Sequence, residues 1–498
     1  MSDETAFTST GTAEPTGTAS QVGPLEGASP QLQGRMGVVE VAFTVLAFAA
    51  PLASVVGVIP LVIGSAGPGA PLAFVAATLV LLVFSVGYTT MGRQLPNPGA
   101  FYAYITAGLG RAVGLAASLL AVLGYFMIGV GVSLFFGIVA NGMVVNSFGG
   151  PSSPWWSYSL ALVVVAGIFG YFRIDVSAKV LSAAMVLEIV VVLIFDLAVA
   201  VRGGPQGRPL TPFAFHSFRS GAVGVAMLFA VITFIGFEAT AIFREETREP
   251  RRTIPRATYL AVLSMGVFYI VVTWLLVVAY GTAHATQVAT TDPPGMFSDA
   301  MGRFVGTWAR DVISVLVVTS VFAGVLSCQN IIARYGYSLG TDRALPSCLG
   351  RVHPRHGSPY VSSLVVSALF VVAVLAFTGS DPATAYAWLT GAGGFPILVL
   401  MFLTSLAVLV FFHRSRGTAD DSTRWHTVVA PALATAALGA TLYLALTNFV
   451  LLTGGHRGTA VTLQVIVWGV FLAGIVLALV FRSRRPDVYA RIGRQPVT

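Results

Sequence analysis

An all-α membrane protein with about twelve transmembrane helices is the fold class this sequence predicts, and three observations carry that reading. Of 498 residues, 56% are hydrophobic and only 10% charged, against about 25% charged in an ordinary soluble domain. Apolar runs of about 20 residues, each long enough to cross about 30 Å of hydrocarbon, recur from Met36 to Phe481. These runs are continuous rather than alternating apolar and polar, which argues against a β-barrel.

Taken in order, residues 1–35 are rich in Thr, Ser, Gly and Pro and lack an apolar core segment. They read as a disordered tail rather than a cleaved signal peptide. Spans are expected at about 37–63, 71–92, 112–145, 156–172, 177–201, 220–243, 258–281, 308–338, 360–378, 384–412, 426–452 and 460–481, followed by a tail at 483–498. The net charge of +8 is explained by topology rather than by a nucleic-acid partner. Of the 28 basic residues, Arg202, Arg208, Arg219, Arg303, Arg310 and Arg457 fall on one side of these spans, and all the others fall on the side of the tails. Basic residues favour the cytoplasmic side, so both termini are expected in the cytoplasm of a plasma (cell inner) membrane protein. Cys328 and Cys348 have no metal or redox spacing and are expected as free thiols.

Two spans are interrupted in corresponding places. The first carries Pro51, Gly57 and Pro60, and the sixth carries Gly236 beside Glu238. The breaks lie five spans apart, which suggests two five-helix halves, spans 1–5 (36–202) and 6–10 (203–412), with spans 11 and 12 (413–482) appended. An odd number of spans per half makes the two halves inverted in topology. Matched glycine or proline breaks are the sequence pointer to a transporter's binding site. Unpaired backbone groups survive in hydrocarbon only where protein, water or ligand satisfies them. Freed amides favour anions and freed carbonyls favour cations, so a small zwitterion such as an amino acid, which offers both charges, suits such a place. Taken singly, Pro51, Gly57 and Pro60 are equally well read as kinks or close-packing positions.

After Glu238 the chain becomes densely charged (FREETREPRRTIPRA, 243–257), the pattern of a cytoplasmic loop. Pro250 and Pro255 are expected to separate this loop from the next span. Glu238 itself lies inside the apolar segment, where an ionisable residue is a functional candidate by default. It is read either as a proton-coupling or gating group or as a cap on the second half of span 6. Glu188 and Asp196 lie within span 5 and rank below it. Ser320, Ser327 and Asn330 of span 8 are either ion ligands or polar contacts between helices.

Three stretches resemble the amino acid–polyamine–organocation (APC) superfamily of permeases. They are GFE at 236–238 followed by E-x-x-x-P-x-R-x-I-P-R-A at 246–257, NIIARYGYSLGTDRALPSCLGRVHPRHGSPY at 330–360, and LPNPGAFYAYITAGLGRAVG at 95–114. The resemblance covers roughly residues 36–485. It implies a leucine-transporter-like fold, with a 5+5 inverted repeat plus two additional helices, working by alternating access. It also implies that the unwound parts of spans 1 and 6 bind a small-molecule substrate, an amino acid or amine. By position these are Ala53, Ser54, Val55, Val56 and Gly57, with Ile232, Phe234, Ile235, Gly236 and Phe237. An aromatic gate would fall at Ile232, Phe234 or Phe237. The sequence departs from the pattern in span 1. Where many members carry a Gly-Ser-Gly-like run, it has Ala53-Ser54-Val55, placing a branched side chain near bare amides. Members that do not use sodium often carry a lysine at the start of span 5. The aligned position here is Asp175, one turn before Lys179, the chain's single lysine; the two are spaced to pair as i,i+4, and Lys179 is otherwise read as a membrane-edge lysine with its ammonium at the interface.

The resulting expectation is a secondary transporter coupled to protons or working by exchange. Its alternatives are a Na+ symporter of the same fold and a non-transporting nutrient receptor. No cofactor, metal site, nucleic-acid partner or enzymatic activity is expected. The chain contains no G-x-x-x-x-G-K-[ST] phosphate loop, and Gly391–Phe395 (GAGGF) reads as helix packing.

Overall fold

The computed structural model describes residues 36–95, 100–172, 178–219, 221–238, 240, 247–414, 423–453 and 456–493. They form helices α1 (Val38–Phe48), α2 (Pro51–Gly57), α3 (Ile59–Ala66), α4 (Ala70–Gln94), α5 (Ala100–Leu109), α6 (Arg111–Asn146) and α7 (Trp155–Phe172). There follow α8 (Ala178–Arg202), α9 (Phe215–Arg219), α10 (Val223–Ile232), α11 (Pro250–Tyr280), α12 (Ala285–Thr291), α13 (Pro293–Phe304) and α14 (Thr307–Thr341). The last six are α15 (Tyr360–Ala376), α16 (Pro382–Arg414), α17 (Ala430–Thr447), α18 (Phe449–Leu452), α19 (Arg457–Arg484) and α20 (Pro486–Arg491). Among the described residues there is no strand, and ten helices are long and apolar enough to cross a membrane. Two shorter apolar helices, α10 and α15, stand where the sixth and ninth spans are expected.

The long α6 runs through the centre, against α5, α7, α14, α16 and α19. Small residues set how closely these helices pack, as expected where lipid tails compete for apolar surface. A Cβ at Gly124 of α6 would lie 3.0 Å from the Gly393 carbonyl of α16, and one at Gly393 would lie 2.8 Å from the Gly124 carbonyl. Gly391 and Gly394 meet Phe229 and Ile232 of α10 in the same way. The GAGGF run is therefore a packing surface. On the outside, α8 exposes Leu193, Leu197 and Val201, α15 exposes Leu369 and Val372, and α19 exposes Val465 and Leu472. Apolar faces this large belong against lipid.

Three boundaries differ from the sequence expectation. The loop between the second and third spans contains α5, and the segment between the seventh and eighth contains α12 and α13. The seventh span does not start after Pro255. Helix α11 opens at Pro250, where proline at the first helical position loses no hydrogen bond and fixes a helical φ, and it runs on through Pro255 inside the helix.

Candidate functional site

The first span breaks at one point. Helix α1 stops at Phe48, Ala49 forms a turn, and Ala50 takes the left-handed conformation (φ 46°, ψ 66°) directly before Pro51. A residue preceding proline is hindered from the right-handed helical region, and proline then opens α2 at its first position. The expected unwinding at Ala53–Gly57 is thus displaced: those residues are helical, and the break lies at Ala49–Ala50. Gly57 has a packing role, because a Cβ there would lie 2.5 Å from the Tyr386 hydroxyl and 3.3 Å from Phe135.

The sixth span breaks where the sequence indicates. After Ile232 the chain passes through turns in which Phe234 N donates to Val231 O (3.1 Å), Ile235 N to Ile232 O (3.0 Å) and Phe237 N to Phe234 O (3.2 Å). Gly236 has φ +116°, a conformation that only glycine adopts without strain. Carbonyls freed by the break are taken by tyrosine hydroxyls from neighbouring helices. Tyr269 donates to Thr233 O at 3.3 Å and Tyr88 to Glu238 O at 3.0 Å. The two breaks touch: a Cβ at Gly236 would lie 3.5 Å from Ala49 N.

Glu238 closes the second break. It is 5% exposed; Oε1 accepts from the Tyr125 hydroxyl at 2.8 Å, and Oε2 accepts from the Gly236 amide at 2.8 Å. The side chain folds back over the glycine two residues earlier, fastening the broken segment to α6. Phe234 and Phe237 are fully buried, Phe234 against Tyr269 and Phe237 against Phe84 and Tyr88. Ala53 and Ile235 retain partial exposure, whereas Ser54, Val55, Val56, Gly57 and Ile232 are buried. Asp175 and the side chain of Lys179 lie outside the described residues.

The first break has a partner in Glu188, which stands below Glu238 in the sequence reading. Glu188 of α8 reaches across to α2, where its Oε2 accepts from Leu52 N at 3.3 Å and from the Ser320 hydroxyl of α14 at 3.0 Å. Ser320 in turn accepts from Ala53 N at 3.2 Å. Ser327 only bonds back to its own helix at Ala323 O. Asp196 is buried with neither oxygen partnered among the described residues. A carboxylate's depth in the membrane was readable; its reach over 136 residues of chain was not.

A family model described as amino acid permease matches residues 39–471 of the 498. The chain belongs to the amino acid permease family. This member of the APC superfamily is 27% identical over 315 residues to the branched-chain amino acid permease BcaP of Bacillus subtilis, covering 60% of this chain and 65% of that one. It is 25% identical over 312 residues to the low-affinity putrescine importer PlaP of Escherichia coli, covering 61% and 66%. It is 24% identical over 333 residues to cationic amino acid transporter 4 of Mus musculus, covering 62% and 50%. The family member therefore spans just under two thirds of the length of the first two of these relatives.

Proposed function

We propose that this protein is a secondary active transporter that moves an amino acid or a related amine across the plasma membrane by alternating access. The observation that carries this reading is the contact between the two breaks, Ala49–Ala50 and Thr233–Gly236. Relatives named for branched-chain amino acids and for putrescine agree with a small amine-bearing substrate.

Helix packing supports the proposed division into residues 36–202 and 203–412. Helix α3 packs on α10, α4 on α11, α6 on α14 and α7 on α15. These are the pairs that counterpart spans of an inverted repeat would form. Substrate would lie at Ala53 and Ile235, the partly exposed positions beside the breaks, with Ile232 and Phe234 behind them. Glu238 would couple or gate: a carboxyl that fastens span 6 to Tyr125 loses that bond geometry when it is protonated or when a ligand competes for it. The arginine distribution supports cytoplasmic termini.

The test is uptake of a radiolabelled amino acid and polyamine panel into proteoliposomes, with and without an inward proton gradient, for the native protein and Glu238→Gln. Gradient-stimulated flux that disappears in Glu238→Gln, with binding kept, is expected. Gradient stimulation that is undiminished in Glu238→Gln, or absent from the native protein, would remove the coupling role.

A further inference from the structure

Buried carboxylates stand at both breaks, and the one at the first break occupies the groups that a substrate carboxylate would need. Around the start of α2, Pro51 has no N–H, Leu52 N donates to Glu188, Ala53 N donates to Ser320, and Ser54 N donates to Ala50 O. Each of these amides is already paired within the protein. Glu188 is 5% exposed, and neither it nor Glu238 forms an ion pair with a described basic residue. Both described bonds to Glu188 end on Oε2, leaving Oε1 as an acceptor.

We infer that Glu188 is a specificity-determining residue, a resident carboxylate that makes the site take amines and diamines and reject their α-carboxylated counterparts. This inference rests on the reading that the broken spans hold the substrate. Three physical reasons support it. A substrate carboxylate could reach Leu52 N only by displacing Glu188, which would lose its backbone donor and keep only the Ser320 hydroxyl. Two carboxylates sharing one low-dielectric site repel strongly. An ammonium, in contrast, is all donor; it brings the opposite charge to two carboxylates and can bond to the open Oε1.

The test uses matched pairs that differ only by the α-carboxylate: isopentylamine against leucine, and putrescine against ornithine. Binding is read from thermal shifts of the purified protein and from competition for uptake. In the native protein each amine is expected to bind at least tenfold more tightly than its partner. Glu188→Ala frees Leu52 N and is expected to cut that ratio at least fivefold. Glu188→Gln still fills the amide with an oxygen but carries no charge; it is expected to weaken amine binding while still rejecting the carboxylated partner. It also keeps the test interpretable if the alanine variant folds poorly. Native preference for leucine or ornithine, or a ratio unchanged in Glu188→Ala, overturns the inference. Ala53→Trp separates the two readings. If it abolishes binding while the native protein prefers carboxylates, this inference alone fails. If it leaves binding intact, or if none of the four compounds binds, the site reading fails and this inference falls with it.

Discussion

Replacing Glu238 by alanine would leave two buried donors, the Tyr125 hydroxyl and the Gly236 amide, without the acceptors they reach at 2.8 Å each. A buried donor left unpaired costs about 1–3 kcal/mol, so the two together cost about 2–6 kcal/mol. The glutamine variant is the right reference, because it removes the same charge and therefore the same desolvation cost. Its amide oxygen still accepts from Gly236, and its NH2 can donate to the Tyr125 oxygen, which accepts as well as donates. The expected gap between Glu238→Ala and Glu238→Gln is thus about 2–6 kcal/mol, with glutamine near the native value. The assay is SDS-titrated unfolding in mixed micelles, completed by a double-mutant cycle with Tyr125→Phe. In the phenylalanine background no hydroxyl is orphaned, so Glu238→Ala should cost about 1–3 kcal/mol less. Additive effects of the two substitutions would refute the proposed bond.

Three further outcomes follow from particular residues. Gly236→Ala should cost about 1–3 kcal/mol and impair uptake through backbone strain alone, since its Cβ meets nothing nearer than 3.5 Å; Gly458→Ala, in open surroundings, is the silent control. Asp196→Leu should stabilise the protein by about 1–3 kcal/mol by removing an unpartnered buried carboxyl, and destabilisation in the same SDS titration would count against it. Burial pushes the Asp342 carboxyl from its ordinary 3.8 up to about 6, against the opposing pull of the Tyr102 hydroxyl, the Gly493 amide and Arg491. The folded state therefore holds this proton more tightly than the unfolded one, so the contribution of Asp342 to stability is full below about pH 4 and is lost as pH rises through about 6. Allowing for solvent screening, the change is about 1 kcal/mol. It should appear as faster hydrogen exchange in α20, whose neighbour Gly493 bonds Tyr102 at 2.7 Å, and Asp342→Asn should flatten the pH profile.

How much of this was legible in the sequence depends on the range of the interaction that decides it. The break at Gly236 was readable because a positive φ requires glycine and leaves a local signature. The first break was misplaced toward Ala53–Gly57 because three candidate breakers lie within ten residues and only the structure picks one. Ala50 yields ahead of Pro51, Pro60 fits within the first positions of α3, and Gly57 answers to Tyr386 more than 300 residues away. Helix α13 left a local signal that could have been read: Asp292 caps it by accepting from Gly295 N at 3.1 Å, ahead of two prolines. The meeting of Glu188, Ser320 and Leu52 joins three distant spans, and no periodicity or motif in one sequence encodes such a contact.

The central claim is that substrate binds between the two broken spans, and site-directed labelling tests it most directly. Cys328 and Cys348, both free, are first replaced by serine, and single cysteines are then placed at Ala53, Ile235 and, as a control, Ser483 on the exposed end of α19. A transported amine is expected to slow maleimide labelling at positions 53 and 235 and to leave 483 unchanged. Unaltered labelling at both inner positions, in proteins that still take up the amine, would contradict it.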